Sequence, residues 1–356
     1  MRRHWIKTFI FLVFTFLALI SGFNFIVDPL QQYTKQKLLK PVYLNPRYLN
    51  AGISKSHKYD SVVLGTSMSE NFLLDDVSSV LGFKAPVKLT ISGASAHDMN
   101  KVLKTAYKYK EIENVLCDIH FYSYTGDVGG FSKGVGSLPD YLYDDKALND
   151  YKYLMNIDTL KLSLRTLRYN IFDRKNIVLD KNRMYQWQHI FENSFGLKNL
   201  LKDWGNRPKD LDIKSIQTSR SPENLQANFN LDILPLIKKH PETNFYLYYP
   251  PYSIFEYKQF RNRSWLKNVL MFKEYIFETV SKYPNVKIYD FQTAKEITHN
   301  LNKYKDLSHY HQNINHWILQ QIKNDRYRVT NKNIHDLNKD ILYQVDTFDE
   351  GTLYEY

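Results

Sequence analysis

SVVLGTSMSE, residues 61–70, runs a short apolar segment into a glycine and then into a serine-rich stretch with helical character. An unbroken apolar run of this length fits a strand buried on both faces, because a strand with one wet face would alternate. Glycine permits the tight turn that follows. The segment reads as strand, turn, helix. It sets Ser67 at the carboxyl edge of a sheet, where α/β proteins hold their ligands.

The pattern recurs on both sides. VKLTI (87–91) is a second strand leading to Gly93 and VLCDIHF (115–121) a third, with a helical stretch over 98–110 between them. Later, Ser221-Pro222 opens a helix toward Lys239, and NFYLYY (244–249) is a strand stopped by Pro250-Pro251. Ser264 caps a helix carrying Leu266, Val269, Ile276 and Val280 at helical spacing; VKIY (286–289) is the last strand and 313–323 the last helix. This alternation predicts one α/β domain over 59–327, three layers with a parallel sheet. Residues 125–220 lack the alternation and read as a mostly helical insertion, either a lid or substrate wall or a packing elaboration. Residues 328–356 are a tail with helical pieces.

Upstream, residues 8–27 (TFIFLVFTFLALISGFNFIV) carry no charge. At about 1.5 Å per residue they are long enough to cross a hydrocarbon core of about 30 Å. Arg2, Arg3, His4 and Lys7 precede the run and Asp28 follows it, so residues 1–7 are expected in the cytoplasm and the body outside. A cleaved signal peptide would have a shorter apolar run and a small-residue cleavage site. Residues 28–58, polar with Pro29, Pro41 and Pro46, read as a juxtamembrane stalk with little regular structure.

Forty-eight basic residues against 37 acidic leave a formal charge of +11, spread without a dense basic block. That is a solvated surface, or one drawn to anionic headgroups or an acidic envelope polymer. No nucleic-acid motif is visible, and an exported body argues against such a partner. The lone Cys117 excludes an internal disulfide and a cysteine-type zinc site. His309, His311 and His316 lie near Asp306, but a His-x-His pair does not share one helix face, so no metal is expected, and no cofactor.

Ser67 has two readings: a nucleophile backed by the N–H groups of a helix start, or an ordinary N-cap. The second chemical signal is KDLSHYH near the C-terminus, with Asp306 and His309 three residues apart. In a loop this spacing lets a carboxylate bond the imidazole Nδ1 and leaves Nε2 to take a serine proton. Tyr249 and Tyr252 flank Pro250-Pro251 at the same predicted edge, as stacking platforms for a sugar or as ordinary rim residues. His97, close to Gly93, is a pocket residue or an exposed helix-start histidine.

Gly65-Thr66-Ser67, LTISGASAHD (89–98) and Asp306-Leu307-Ser308-His309 together resemble the blocks of the SGNH (GDSL-like) hydrolase superfamily. The resemblance implies a flavodoxin-like sheet, a Ser67-His309-Asp306 triad, and an oxyanion hole using the N–H groups of Ser67 and Gly93. The anchor, the Asp28-Pro29 pair, the GTS turn and the DLSHY ending resemble the membrane-tethered DltD-like and alginate-acetylation (AlgJ-like) branch. That implies a bacterial single-pass protein acting on acyl esters of a cell-envelope glycan or related polymer, with a membrane-embedded acyl donor as partner if it transfers. The family's third block supplies an asparagine donor; here HFYSYTG stands instead, leaving Ser123, Tyr122 or His120 to serve. The gap also admits a non-catalytic envelope protein that binds glycan or scaffolds an assembly.

Overall fold

The computed structural model describes residues 2–33, 39–132, 134, 136–207 and 218–351. Parts of the expected stalk (34–38), insertion (133, 135, 208–217) and tail (352–356) lie outside the described residues.

Helix α1 (Arg2–Val27) contains an apolar span, His4–Val27, of mean hydropathy 2.4 that is long enough to cross a membrane. There follow α2 (Pro46–Ser56), β1 (Ser61–Gly65), α3 (Ser67–Glu70), α4 (Leu74–Leu81), β2 (Pro86–Thr90), α5 (Ala96–Tyr109) and β3 (Asn114–Asp118). The segment after β3 carries α6 (Asp140–Tyr143), α7 (Tyr151–Leu154), α8 (Ile157–Phe172) and α9 (Leu197–Asn206). Helices Pro222–Asn228 and Leu234–Lys239, joined by a π-helical turn, lead into β4 (Asn244–Tyr249). Helices Ile254–Asn262 and Leu266–Val280 precede β5 (Val286–Asp290), and Gln312–Lys323 and Ile334–Thr347 close the described chain.

All five strands are parallel, in the order β2-β1-β3-β4-β5, with helices on both faces. Both faces of β1 and β2 are buried along their whole length, which is why β1 reads as an apolar run, while β2 carries the buried Lys88 in its middle. The chain leaves β1 for β2 on one side and returns to β3 on the other. The crevice beyond the ends of β1 and β3 is therefore the topological switch point, the ordinary ligand site of such sheets.

Three expectations need correction. The segment read as a stalk holds α2, whose Leu49, Ala51 and Ile53 are fully buried, and Arg47 makes a buried ion pair with Asp98 of α5 at 3.0 Å. Pro46, read as a linker residue, is the helix's first-turn proline, a position where its missing N–H costs nothing. Ser264 does not cap the helix Leu266–Val280: its φ is +59° and Trp265 holds the cap position. The tail is part of the body, because Ile334–Thr347 buries Ile334, Ile341 and Val345.

Gly65 ends β1 at φ +138°, and a Cβ there would overlap the Asp118 carboxylate. Gly65→Ala is expected to destabilise the chain by about 2–4 kcal/mol, from strain and overpacking together. Gly82→Ala, at φ +75° in open space, should cost only about 1 kcal/mol. Denaturant unfolding of the detergent-solubilised full chain compares the two.

Candidate active site

The turn after β1 is held by a carboxylate from the neighbouring strand. Asp118 Oδ2 accepts hydrogen bonds from the Thr66 N–H at 2.8 Å, the Thr66 hydroxyl at 3.2 Å and the Ser69 hydroxyl at 2.7 Å. Burial raises the Asp118 pKa to about 6 against the opposing effect of those bonds. Thr66 accepts the Met68 N–H as the N-cap of α3, so Ser67 is the first helical residue and its hydroxyl is free of the capping role. Beneath α3, buried Lys88 of β2 donates to the Glu70 and Phe72 carbonyls at 2.8 and 2.7 Å. Burial lowers its pKa to about 7.

The second half comes from the loop before Gln312–Lys323. A Tyr304–Tyr310 bridge closes the loop, and Ser253, just past β4, bonds the Leu307 carbonyl through its hydroxyl at 2.7 Å. Asn315 and Tyr310 donate to the Met68 carbonyl at 3.0 and 3.3 Å, which locks this loop and its helix onto α3. Residues 242 positions apart thereby meet: Ser67 Oγ lies 2.8 Å from His309 Nε2. His309 Nδ1 is 2.9 Å from both carboxylate oxygens of Asp306.

Asp306 Oδ1 also accepts the N–H groups of Ser308 and His309, at 3.0 and 2.8 Å, and Lys305 Nζ is 2.6 Å from Oδ2. Burial would raise the Asp306 pKa, but His309 and Lys305 outweigh it and hold the carboxyl well below the usual range. An ionised Asp306 beside Nδ1 fixes the hydrogen there and leaves Nε2 as an acceptor facing Ser67. His309 and Asp306 keep 28% and 21% of their side-chain surface exposed, so the relay opens to solvent.

Ser67 and Gly93 lie just beyond β1 and β2, which are in register to Gly65–Thr90. Gly93 is exposed at φ +66°. The N–H groups of Ser67 and Gly93 have no hydrogen-bond partner among the described residues.

Other expected residues are elsewhere. Tyr249 and Tyr252 are not at a rim: both are buried, Tyr249 bonding the Lys273 carbonyl and Tyr252 bonding His120. Tyr249 ends β4 and points into a packed face of the sheet, and Tyr252, in the turn beyond, packs against Tyr257 and Phe260. Ser123 is 2% exposed, its hydroxyl without a partner among the described residues, on a 3₁₀ turn whose inner side faces the core. His97 is committed to Asp232 at 2.9 Å and packs edge-on against Phe131. His311 and His316 turn to Gln188 and Asp76, away from His309.

One residue not singled out in the sequence, Trp187, joins the site, and so does His120 from the three donors named after β3. Trp187, from the insertion, donates its indole N–H to the Ser67 carbonyl at 2.8 Å and stands edge-on to the His309 ring at 5.4 Å. Its loop is held by Asn71, whose side-chain oxygen accepts the N–H groups of Trp187 and Gln188. This part of the insertion is a wall of the site. RMYQWQH has no periodicity that could have marked it.

His120 follows β3 as Ser67 follows β1. Its Nδ1 lies 2.7 Å from the Tyr252 hydroxyl, which already accepts the Phe121 N–H at 3.2 Å. The phenol hydrogen of buried Tyr252 therefore goes to Nδ1, and the neutral imidazole carries its own hydrogen on Nε2. Burial, and then the charge of nearby His309, lower its pKa to about 3, so the ring stays neutral near pH 7.

No family model matches the chain, and no curated protein matches it. Among solved structures, one from Streptococcus pneumonia described as a candidate platelet activating factor aligns with 79% of this chain and 89% of its own. The identity is 12% and the TM-score 0.37.

Proposed function

We propose that the chain is a serine ester hydrolase or acyltransferase of SGNH type, its catalytic body running from α2 through the helix Ile334–Thr347. The observation that carries the reading is the unbroken relay from Ser67 Oγ through His309 to Asp306, open to solvent at the sheet's switch point. His309 Nε2 takes the Ser67 proton as Oγ attacks an ester carbonyl. Asp306 supports the imidazolium, which then protonates the departing alkoxide, leaving an acyl-enzyme. Water completes hydrolysis; a sugar hydroxyl completes transfer.

The Ser67 and Gly93 N–H groups hold the oxyanion, and the His120 Nε2–H stands in for the asparagine that the resemblance calls for. This donor weakens the case for a non-catalytic scaffold, which rested on that gap. With α1 as anchor and the body outside a bacterial cytoplasmic membrane, the polymer is an acylated cell-envelope glycan. A membrane-embedded donor serves the transfer route, as in the DltD-like and AlgJ-like branch that the sequence resembles.

A fluorophosphonate probe tests the reading directly. The detergent-solubilised full chain should gain one phosphonyl group, mapped by mass spectrometry to Ser67; an unmodified chain, or a label elsewhere, would overturn it. His120→Ala should lower kcat for an acetyl ester by about 10²–10³ with little change in KM, the usual loss for one oxyanion donor. Selective ¹⁵N-histidine spectra should show a neutral Nε2–H ring at His120 from pH 5 to 9. A ring titrating in that range would remove it from the hole.

A further inference from the structure

Helix α8 is built inside out for a helix in water. Its buried residues are Thr159, Ser163, Thr166 and Asn170, all polar. Five of its apolar residues, Ile157, Leu160, Leu164, Leu167 and Ile171, recur at spacings of three and four and form one stripe, while Leu162 lies off it and packs against the core. Ile157, Leu164 and Ile171 are 58%, 56% and 56% exposed, and Phe172 at the end is 83% exposed. A row of exposed basic residues, Lys161, Arg165 and Arg168, borders the stripe along one side.

The polar face of α8 packs against α1, with Asn170 near its end bonded instead to the Lys40 backbone. Asn24, the only amide in the apolar run, accepts the Ser163 hydroxyl at 2.8 Å and donates to the Leu154 carbonyl at 2.8 Å. The residues of α1 that lose exposure are Leu17, Ile20, Ser21, Phe23, Asn24 and Val27, one face of its last three turns. Three turns rise about 16 Å, close to half a hydrocarbon core. The junction is fixed: Asp28 accepts the Tyr153 hydroxyl at 2.9 Å, and Gly52 of α2 lets the Leu30–Gln31 backbone lie directly against that helix. Small polar residues between two helices, with apolar side chains turned outward, is the arrangement of helices whose surroundings are lipid.

We propose that α8 is a second membrane-contacting element, lying against the outer half of α1 with its apolar stripe in the outer leaflet. The proposal rests on α1 spanning the bilayer. Acyl chains of phospholipid cover the stripe, and Lys161, Arg165 and Arg168 reach along its border to the phosphates, as basic residues do beside interfacial helices. A single anchoring helix leaves a domain free to swivel about it, whereas two contacts fix how the body faces the membrane.

The test uses the full chain in phosphatidylcholine–phosphatidylglycerol vesicles. Leu164→Cys and Phe172→Cys each carry an environment-sensitive fluorophore; buried Cys117 stays unlabelled. Phe14→Cys in α1 and Tyr343→Cys, exposed on the helix Ile334–Thr347 that packs against the turn after β5, are references. Labels at 164 and 172 should be quenched by nitroxide-bearing acyl chains, as at 14, with aqueous iodide quenching several-fold weaker than at 343. Iodide quenching at 164 and 172 equal to that at 343, with lipid quenching retained at 14, would overturn the proposal and leave the anchor standing. Protection from iodide without lipid quenching would mean that a second copy covers the stripe, and would overturn it too. Loss of lipid quenching at 14 would remove the anchor and this proposal together.

Discussion

Replacing Ser67 by alanine should lower kcat for a chromogenic acetyl ester by about 10⁴–10⁶-fold, the range seen when the nucleophile of such a relay is removed. The fold should not change. Among the described residues Ser67 Oγ bonds His309 alone, whereas the turn around it is held by Thr66, Ser69 and Asp118. The variant should therefore unfold at the denaturant midpoint of the parent while its turnover falls to the residue left by binding and the oxyanion donors. Turnover within tenfold of the parent in a folded variant would end the proposal that Ser67 is the nucleophile. A loss accompanied by a shifted midpoint would instead be read with Gly65→Ala, whose effect is on the turn itself.

The sheet was legible because each strand is short, apolar and closed by a turn or helix signal; the five predicted runs match the observed strands to within about a turn's length. The relay residues were legible as two local patterns, and what joins them was not. Asp118 sits inside VLCDIHF, which reads as a strand like any other, and its partners Thr66 and Ser69 are about fifty residues away in sequence. No periodicity encodes such a contact. Trp187 was hidden for the same reason, since a single indole in an irregular insertion gives no pattern. The tyrosines misled because an aromatic strand end looks the same whether its sheet stops there or is covered by further layers. The pairing of Asn24 with α8 was hidden too: a polar helix face gives no sign in sequence of being the buried one.

Asp306→Asn tests the orientation of the imidazole rather than the presence of its parts. The Ser308 and His309 N–H groups hold one oxygen of the side chain as their acceptor, so an asparagine would keep its carbonyl there. Its amide NH₂ would then face Nδ1 in place of the second carboxylate oxygen and donate to it. Nδ1 would become the acceptor, the ring hydrogen would move to Nε2, and Nε2 could no longer take a proton from Ser67. The expected loss is about 10⁴-fold, carried by kcat, because the wrong tautomer is held in the right place. The stability difference between parent and variant has its own sign. The parent carboxyl is held below its ordinary pKa, so its stabilising effect is complete above about pH 4 and fades as pH falls toward the folded value. Unfolding curves of the two chains should therefore differ by a constant amount from pH 5 to 8 and converge in more acidic buffer. A difference that instead grew on acidification would mean that Asp306 is protonated in the folded chain. It could not then hold the Nδ1 hydrogen of His309.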